Sequence, residues 1–406
     1  MKLQKIFLTC LIATAFAACS QDDASSSSGA GDQGDGGITI GADSEIEIRL
    51  SQSNLTRASI ETDENGLFNA KGVGIFMLAT DVTASNREAH PISWDPAENQ
   101  FAVKLNNVQA NIVADSPSSS NNVVWANNNK HYFYPITNWY AYRFYGYYPR
   151  LDDEDVEVSS TQRVAHFTDL DGKKDVIWGQ SLRSIQNPEE VGYETERYRY
   201  SARYFRQAGK ANSLPSIAFE HKLMRFQFYI QGIADANAEE GHEYDTANTM
   251  IIDSIYAVNV PTTANLIIAD FNSPSNDGTF TVNWNGDKDT LFVVGKNDGE
   301  FKKEPVKDAE MISVGQALLM PVPSADQLAT GFKFQIVVTL RDTAGNFFKG
   351  AYPIDLNPTG NYAAGRTYNI VIGIAGPKIV SAKATLRAWE DAKTEDGVTI
   401  DDLILN

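Results

Sequence analysis

In the segment Ser44–Ile60, SEIEIRLSQSNLTRASI, the apolar residues Ile46, Ile48 and Leu50 alternate with Glu45, Glu47 and Arg49. Alternation with period two is the pattern of a strand with one buried face, so a strand is expected over residues 45–50. Short apolar runs of the same kind recur from Ile38 onward: EIEIRL, GVGIFML, FAVKL, YAYRFYGYY, DVIWG and KLMRFQFYI. The second half adds IIDSIYAVNV, TFTVNW, TLFVV, FKFQIVVTL, YNIVIGI and AKATLRAW. Between them lie turn clusters such as NNNKH, DLDGKK, NWNGDKD and RDTAGN, whose Gly, Asn and Asp residues tolerate positive φ. Long amphipathic helical patterns are scarce. Many short strands spaced by turns predict an all-β sandwich architecture.

A Gly/Asn/Ser/Pro break, RQAGKANSLPS at residues 206–216, suggests a boundary. It divides the chain into an N-terminal β-sandwich domain, residues 38–210, and a C-terminal one, residues 211–406, each long enough to hold its own core. Residues 19–37 are mostly Ser, Gly and Asp and cannot form a core, so they read as a flexible tether.

Composition changes the picture in one respect. The 406 residues carry 34 Lys+Arg against 52 Asp+Glu, a net charge of −18. Such a chain has no basic footprint for nucleic acid, and an anionic membrane repels it unless an anchor intervenes. An anchor is legible at the N-terminus. Lys2 and Lys5 precede the apolar run IFLTCLIATAFAAC, which ends at Cys19. This has the parts of a signal peptide, residues 1–18. Ala17-Ala18-Cys19 resembles a bacterial lipobox, in which cleavage between Ala18 and Cys19 exposes a cysteine for lipid attachment. Phe16 stands where that pattern usually has Leu, and an ordinary secretory signal is the alternative. Of the two cysteines, Cys10 leaves with the signal, so only Cys19 remains and no disulfide is expected.

Candidate chemistry is thin. The five histidines, at 90, 131, 166, 221 and 242, show no metal or triad spacing. GNYAAGRT, residues 360–367, matches a phosphate-binding loop except that Arg366 replaces lysine, but it leads into a strand rather than a helix. DLDGKKD, residues 169–175, has its glycine too early for a calcium loop and reads as a turn. In the aromatic run HYFYPITNWYAYRFYGYYP, residues 131–149, rings fall on both faces of a strand. That fits a doubly covered strand better than a sugar platform. No catalytic residue, cofactor or metal is assigned, and an enzyme is not expected.

The order of several segments carries a family likeness: the lipobox Cys19, NLTRAS, GVGIFML, YFYP followed by YRFYGYYP, DVIWG, IAFEHKLMRFQFYI and GRTYNIVIGI…ATLRAWED. Together they resemble the fimbrillin (Mfa-like) family, subunits of type V fimbriae of Bacteroidia. The resemblance implies two tandem transthyretin-like β-sandwich domains, export to the outer membrane surface as a lipoprotein, and polymerisation with other fimbrial subunits in adhesion. It implies that an Arg-specific protease cuts after Arg57, before Ala58, releasing the strand that carries Ile46, Ile48 and Leu50. An arginine in an ordinary loop would look the same. A donor strand is then expected from the C-terminal tail, EDGVTIDDLILN, through Val398, Ile400, Leu403 and Leu405, although Asp401-Asp402 interrupts the alternation. Stalk and tip roles both stay open. The alternative is a surface lipoprotein that binds a host glycan or protein without polymerising. Four Asp-Ser/Thr-aliphatic triplets, such as Asp253-Ser254-Ile255, resemble an O-glycosylation sequence.

Overall fold

The computed structural model describes residues 45–53, 70–82, 90–113, 122–127, 129–136, 140–181, 199–206, 214–292, 306, 310–322, 334–354, 363–377 and 379–388. All belong to one compact unit, residues 38–406. The architecture is all-β. In chain order the first strands are β1 (Leu50–Ser53), β2 (Ala70–Val82), β3 (Val103–Val113), β4 (Asn122–Trp125), β5 (Tyr140–Tyr148), β6 (Val156–Val158), β7 (Gln162–Phe167), β8 (Ile177–Ser181) and β9 (Ser216–His221). Then follow β10 (Met224–Gly232), β11 (Met250–Pro261), β12 (Ala264–Asp270), β13 (Phe280–Val282), β14 (Lys288–Phe292) and β15 (Ile312–Leu319). The last four are β16 (Phe334–Asp342), β17 (Phe347–Ile354), β18 (Arg366–Gly376) and β19 (Ile379–Ala388).

Four sheets result. One closes on itself in the order β1-β4-β3-β2-β5-β8-β9, and the others run β13-β12-β7-β6, β15-β10-β18-β19 and β14-β11-β16-β17. The last two face each other as a sandwich. Phe226, Phe228 and Ile230 of β10 and Ile370, Ile372 and Ile374 of β18 meet Ile252 and Ile255 of β11 and Ile336, Val338 and Leu340 of β16. Strand β10 alternates buried and half-buried positions along its whole length, the signature of one covered face.

Strand β5 behaves differently. Tyr140, Tyr142 and Phe144 enter the core inside the closed sheet. Tyr145 and Tyr147 enter a second core, between that sheet and β6-β7-β12-β13, together with Phe76, Trp178, Leu266 and Ile268. Covering both faces is what allows a near-continuous aromatic run, so the tyrosines of YAYRFYGYY are interior packing. Strands from either side of residue 210 share these sheets: β9 pairs with β1 and β8, and β7 pairs with β12.

Two polar staples hold the layers. Arg163 is fully buried, and its guanidinium donates to Asn106 Oδ1 at 3.1 Å and to the carbonyls of Ser159, Gln162 and Trp94. Burial pushes its pKa down to about 10. The second staple is Asp277, in the β12–β13 connection, whose side chain is 1% exposed. Its Oδ1 accepts from the Asp270 amide at 2.7 Å and its Oδ2 from the Tyr145 hydroxyl at 3.2 Å, with Arg143 Nη1 3.7 Å away. Beside it Gly278, at φ +77°, lies against the Trp178 ring, which an added Cβ would approach to 2.5 Å. Only glycine meets both demands there.

Burial lifts the Asp277 carboxyl to about 6, while the Asp270 amide and Arg143 pull against that rise. Because the folded-state pKa is raised, the folded chain takes up this proton before the unfolded chain does. The carboxylate therefore costs stability above pH 6, and the cost is relieved as pH falls from 6 toward 4. Asp277→Asn should raise stability at pH 7.5 by about 1–3 kcal/mol and flatten the dependence between pH 4 and 6. Urea unfolding at a series of pH values checks this; an unchanged slope would refute the assignment.

Candidate functional site

The N-terminal segment closes the first sheet. Leu50 and Ser51 pair antiparallel with Val123 and Asn122 of β4, while Ser51, Gln52 and Ser53 pair in parallel with Ser216, Ile217 and Ala218 of β9. Upstream, the Ile48 amide donates to the Tyr132 carbonyl at 2.7 Å, and the Tyr134 amide donates to the Ile46 carbonyl at 2.9 Å. Glu47 and Phe133 form an antiparallel bridge between these two bonds. The ladder strand thus begins at Leu50, later than the expected 45–50. The reason is local: residues 46–48 face a short stretch of extended chain at 132–134, and only from Leu50 does the segment reach β4 and then β9.

The alternation itself holds. Glu45, Glu47 and Arg49 are exposed, Ile46 is half-buried, and Ile48 and Leu50 are buried. They share the core inside the closed sheet with, among others, Ile217, Tyr134, Tyr200, Tyr204 and Phe205. The last two belong to a short helix, Ala202–Phe205, that Ser201 caps by accepting from the Tyr204 amide at 3.2 Å. Tyr134 lies 4.8 Å from Phe205 and 6.2 Å, edge to face, from Phe144. At the rim, Trp125 and Tyr132 meet at 4.9 Å in a T-shape, and Lys130 Nζ sits 5.0 Å over the Tyr132 ring. His131 Nδ1 approaches Glu47 Oε1 at 2.5 Å, but both side chains are well exposed, and such pairs contribute little.

Burying Ile48 and Leu50 is worth roughly 3–6 kcal/mol at most. One buried group counts against it. The Tyr134 hydroxyl is buried without a hydrogen-bond partner among the described residues, and burial, joined by Tyr200 and Tyr204, holds its pKa well above the ordinary value.

No protein-family model and no curated protein matches the chain. Among solved structures, the chain is similar to a candidate cell adhesion protein of Bacteroides uniformis, with 15% identity over 85% of this chain and 99% of that one and a TM-score of 0.44. A second, from Bacteroides ovatus, has 11% identity over 87% and 98%, with a TM-score of 0.41. The fimbrial anchor protein Mfa2 of Porphyromonas gingivalis has 9% identity over 85% and 98%, with a TM-score of 0.33.

Of the residues singled out from sequence, Ile46, Ile48 and Leu50 are brought together in this seat. Ala18, Cys19, Arg57, Ala58, Val398, Ile400, Leu403 and Leu405 lie outside the described residues. Ser254, of the Asp253-Ser254-Ile255 triplet, is buried within β11 and is not an open acceptor. Sequence spacing also gave no sign that His221 Nδ1 meets Asp175 Oδ2 at 2.5 Å. Their side chains are 2% and 0% exposed, so the pair is closed to substrate. The walls of the seat, β4 and β9, went unrecognised too, although the alternating rings of Tyr132 and Tyr134 were visible in the HYFY run.

Two variants test the seat. Ile48→Ala should cost about 2–4 kcal/mol. Tyr134→Phe removes an unpartnered hydroxyl and should be neutral or stabilise by about 1 kcal/mol. Guanidinium unfolding of both variants checks these signs, and a strongly destabilised Tyr134→Phe would show that the hydroxyl is satisfied after all.

Proposed function

We propose that this chain is a structural subunit of cell-surface fimbriae. In this reading it is exported as a lipoprotein through Cys19 and assembles by donor-strand exchange once an Arg-specific protease cuts between Arg57 and Ala58. The observation that carries the reading is the seat of the N-terminal segment. A piece of chain ending a few residues before Arg57 closes a sheet between β4 and β9 and buries Ile48 and Leu50. Removing it would expose two strand edges and an apolar trough at once, a combination that seeks a replacement strand.

The lipobox and the segment order that resembles fimbrillins support the same reading. The acidic composition suits a protein held at a membrane by lipid alone. Its partners would then be other fimbrial subunits, the protease and, before processing, the outer membrane. The C-terminal tail with Val398, Ile400, Leu403 and Leu405 is the candidate donor. A chain whose tail cannot donate would serve at the tip.

Treatment of the purified precursor with an Arg-specific protease should yield a product beginning at Ala58 that forms SDS-resistant ladders. Arg57→Ala should stay monomeric and membrane-bound. Filaments whose subunits still begin at Cys19, or normal assembly of Arg57→Ala, would overturn the proposal.

A further inference from the structure

A cleft of about 140 Å³ opens between β5 and the β12–β13 connection, lined by Thr80, Trp94, Arg143, Tyr145, Asp270, Phe271 and Pro274. It lies on the side of β5 that faces β12, away from the seat of the N-terminal segment. Its hydrogen-bonding capacity is unevenly spent. Asp270 Oδ1 accepts from the Asn272 and Ser273 amides, and Oδ2 accepts from Gln162 and Asn276. Asp277, just behind, is occupied by the Asp270 amide and Tyr145. Every carboxylate oxygen here therefore already accepts at least one hydrogen bond.

The donors are not all spent. Arg143 uses Nη1 on Gln180 Oε1 at 3.3 Å, faces Asp277 at 3.7 Å and also meets the Tyr145 hydroxyl, which leaves at least two of a guanidinium's five N–H groups to spare. The Thr80 hydroxyl is buried without a partner among the described residues. Phe271, edge-on to Trp94 at 5.6 Å, and Pro274 supply apolar wall. A guanidinium with N–H groups to spare meets a carboxylate through charge-assisted hydrogen bonds. The volume falls below the roughly 300–1,000 Å³ of sites for drug-sized ligands, so only a single ring fits.

We propose that this cleft binds a carboxylate carried on one six-membered ring, with Arg143 and Thr80 taking the carboxylate and Phe271 covering the ring. The site is independent of strand exchange. The charged and titratable groups facing Arg143 and Asp277 are each other, Tyr145 on β5, and Asp270 at the end of β12. Above pH 6, Asp277 neutralises Arg143. Below it, Asp277 takes up a proton and Arg143 keeps its charge for the ligand.

Calorimetric titration of the purified protein with glucuronate, benzoate and glucose at pH 5.5 and 7.5 tests this. Saturable binding of at least one carboxylate is expected, about tenfold tighter at pH 5.5, with no saturation by glucose. Preference between glucuronate and benzoate separates a uronic sugar from an aromatic acid as the source. Arg143→Gln should weaken binding about tenfold or more. Phe271→Ala should also weaken it, measured well below a melting temperature that falls modestly with the lost Trp94 contact, so the test survives if Arg143→Gln misfolds. Failure of both carboxylates at both pH values, equal binding of glucose, or full binding by Phe271→Ala would overturn the proposal.

Discussion

An extended segment inside a closed sheet must satisfy two edges at once, and the first sheet depends on how β1 does so. It binds β4 antiparallel through Leu50 and Ser51 and β9 in parallel through Ser51–Ser53. Among the described residues no ladder joins β4 to β9 directly, so without β1 the sheet is open and both carry unpaired backbone groups. The core beneath follows from that closure. Ile48 and Leu50 join a core that also holds Ile217, Tyr134 and Phe205, and β2 and β5 can be apolar on their inner face because the sheet wraps around it.

The outer face of the same strands is answered by a second layer. Phe76, Tyr145, Tyr147 and Trp178 meet Leu266 and Ile268, and the Trp178 indole donates to the Ile268 carbonyl at 2.9 Å. This layer mixes strands from either side of residue 210, and polar staples at Arg163 and Asp277 fix it. A buried ion such as Arg163 is tolerated because its donors meet carbonyls and an amide oxygen, which offsets the desolvation of the charge. Asp277 is less well compensated, and its raised pKa is the measure of that deficit.

Much of this was legible in the residues. Period-two alternation placed Ile46, Ile48 and Leu50 on one face, and rings on both faces of YAYRFYGYY marked a strand covered twice. What alternation cannot carry is the identity of a neighbour. Leu50 meets Val123, and Ser51 meets Ser216 in parallel; nothing local to either strand encodes those pairings, which are set by how the whole sheet closes. The same holds for Asp175 and His221, brought together by the pairing of β8 with β9. The break at 206–216 was visible as composition, yet β9, just after it, returns to the first sheet, because strand membership is decided by pairing and not by the linker.

The seat also has the energetics of something held rather than welded. Its attachment comes from backbone bonds, which any extended chain can make, and from two buried aliphatic side chains. The polar side-chain contacts are few and weak: the His131–Glu47 pair is exposed, and the Ser51 hydroxyl donates to the Pro215 carbonyl at a long 3.4 Å. No side chain of the segment makes a buried ionic or multiply bonded contact among the described residues that a different strand would have to reproduce. In the proposed exchange, a replacement strand would have to meet only these demands: backbone partners on both edges and apolar residues two apart.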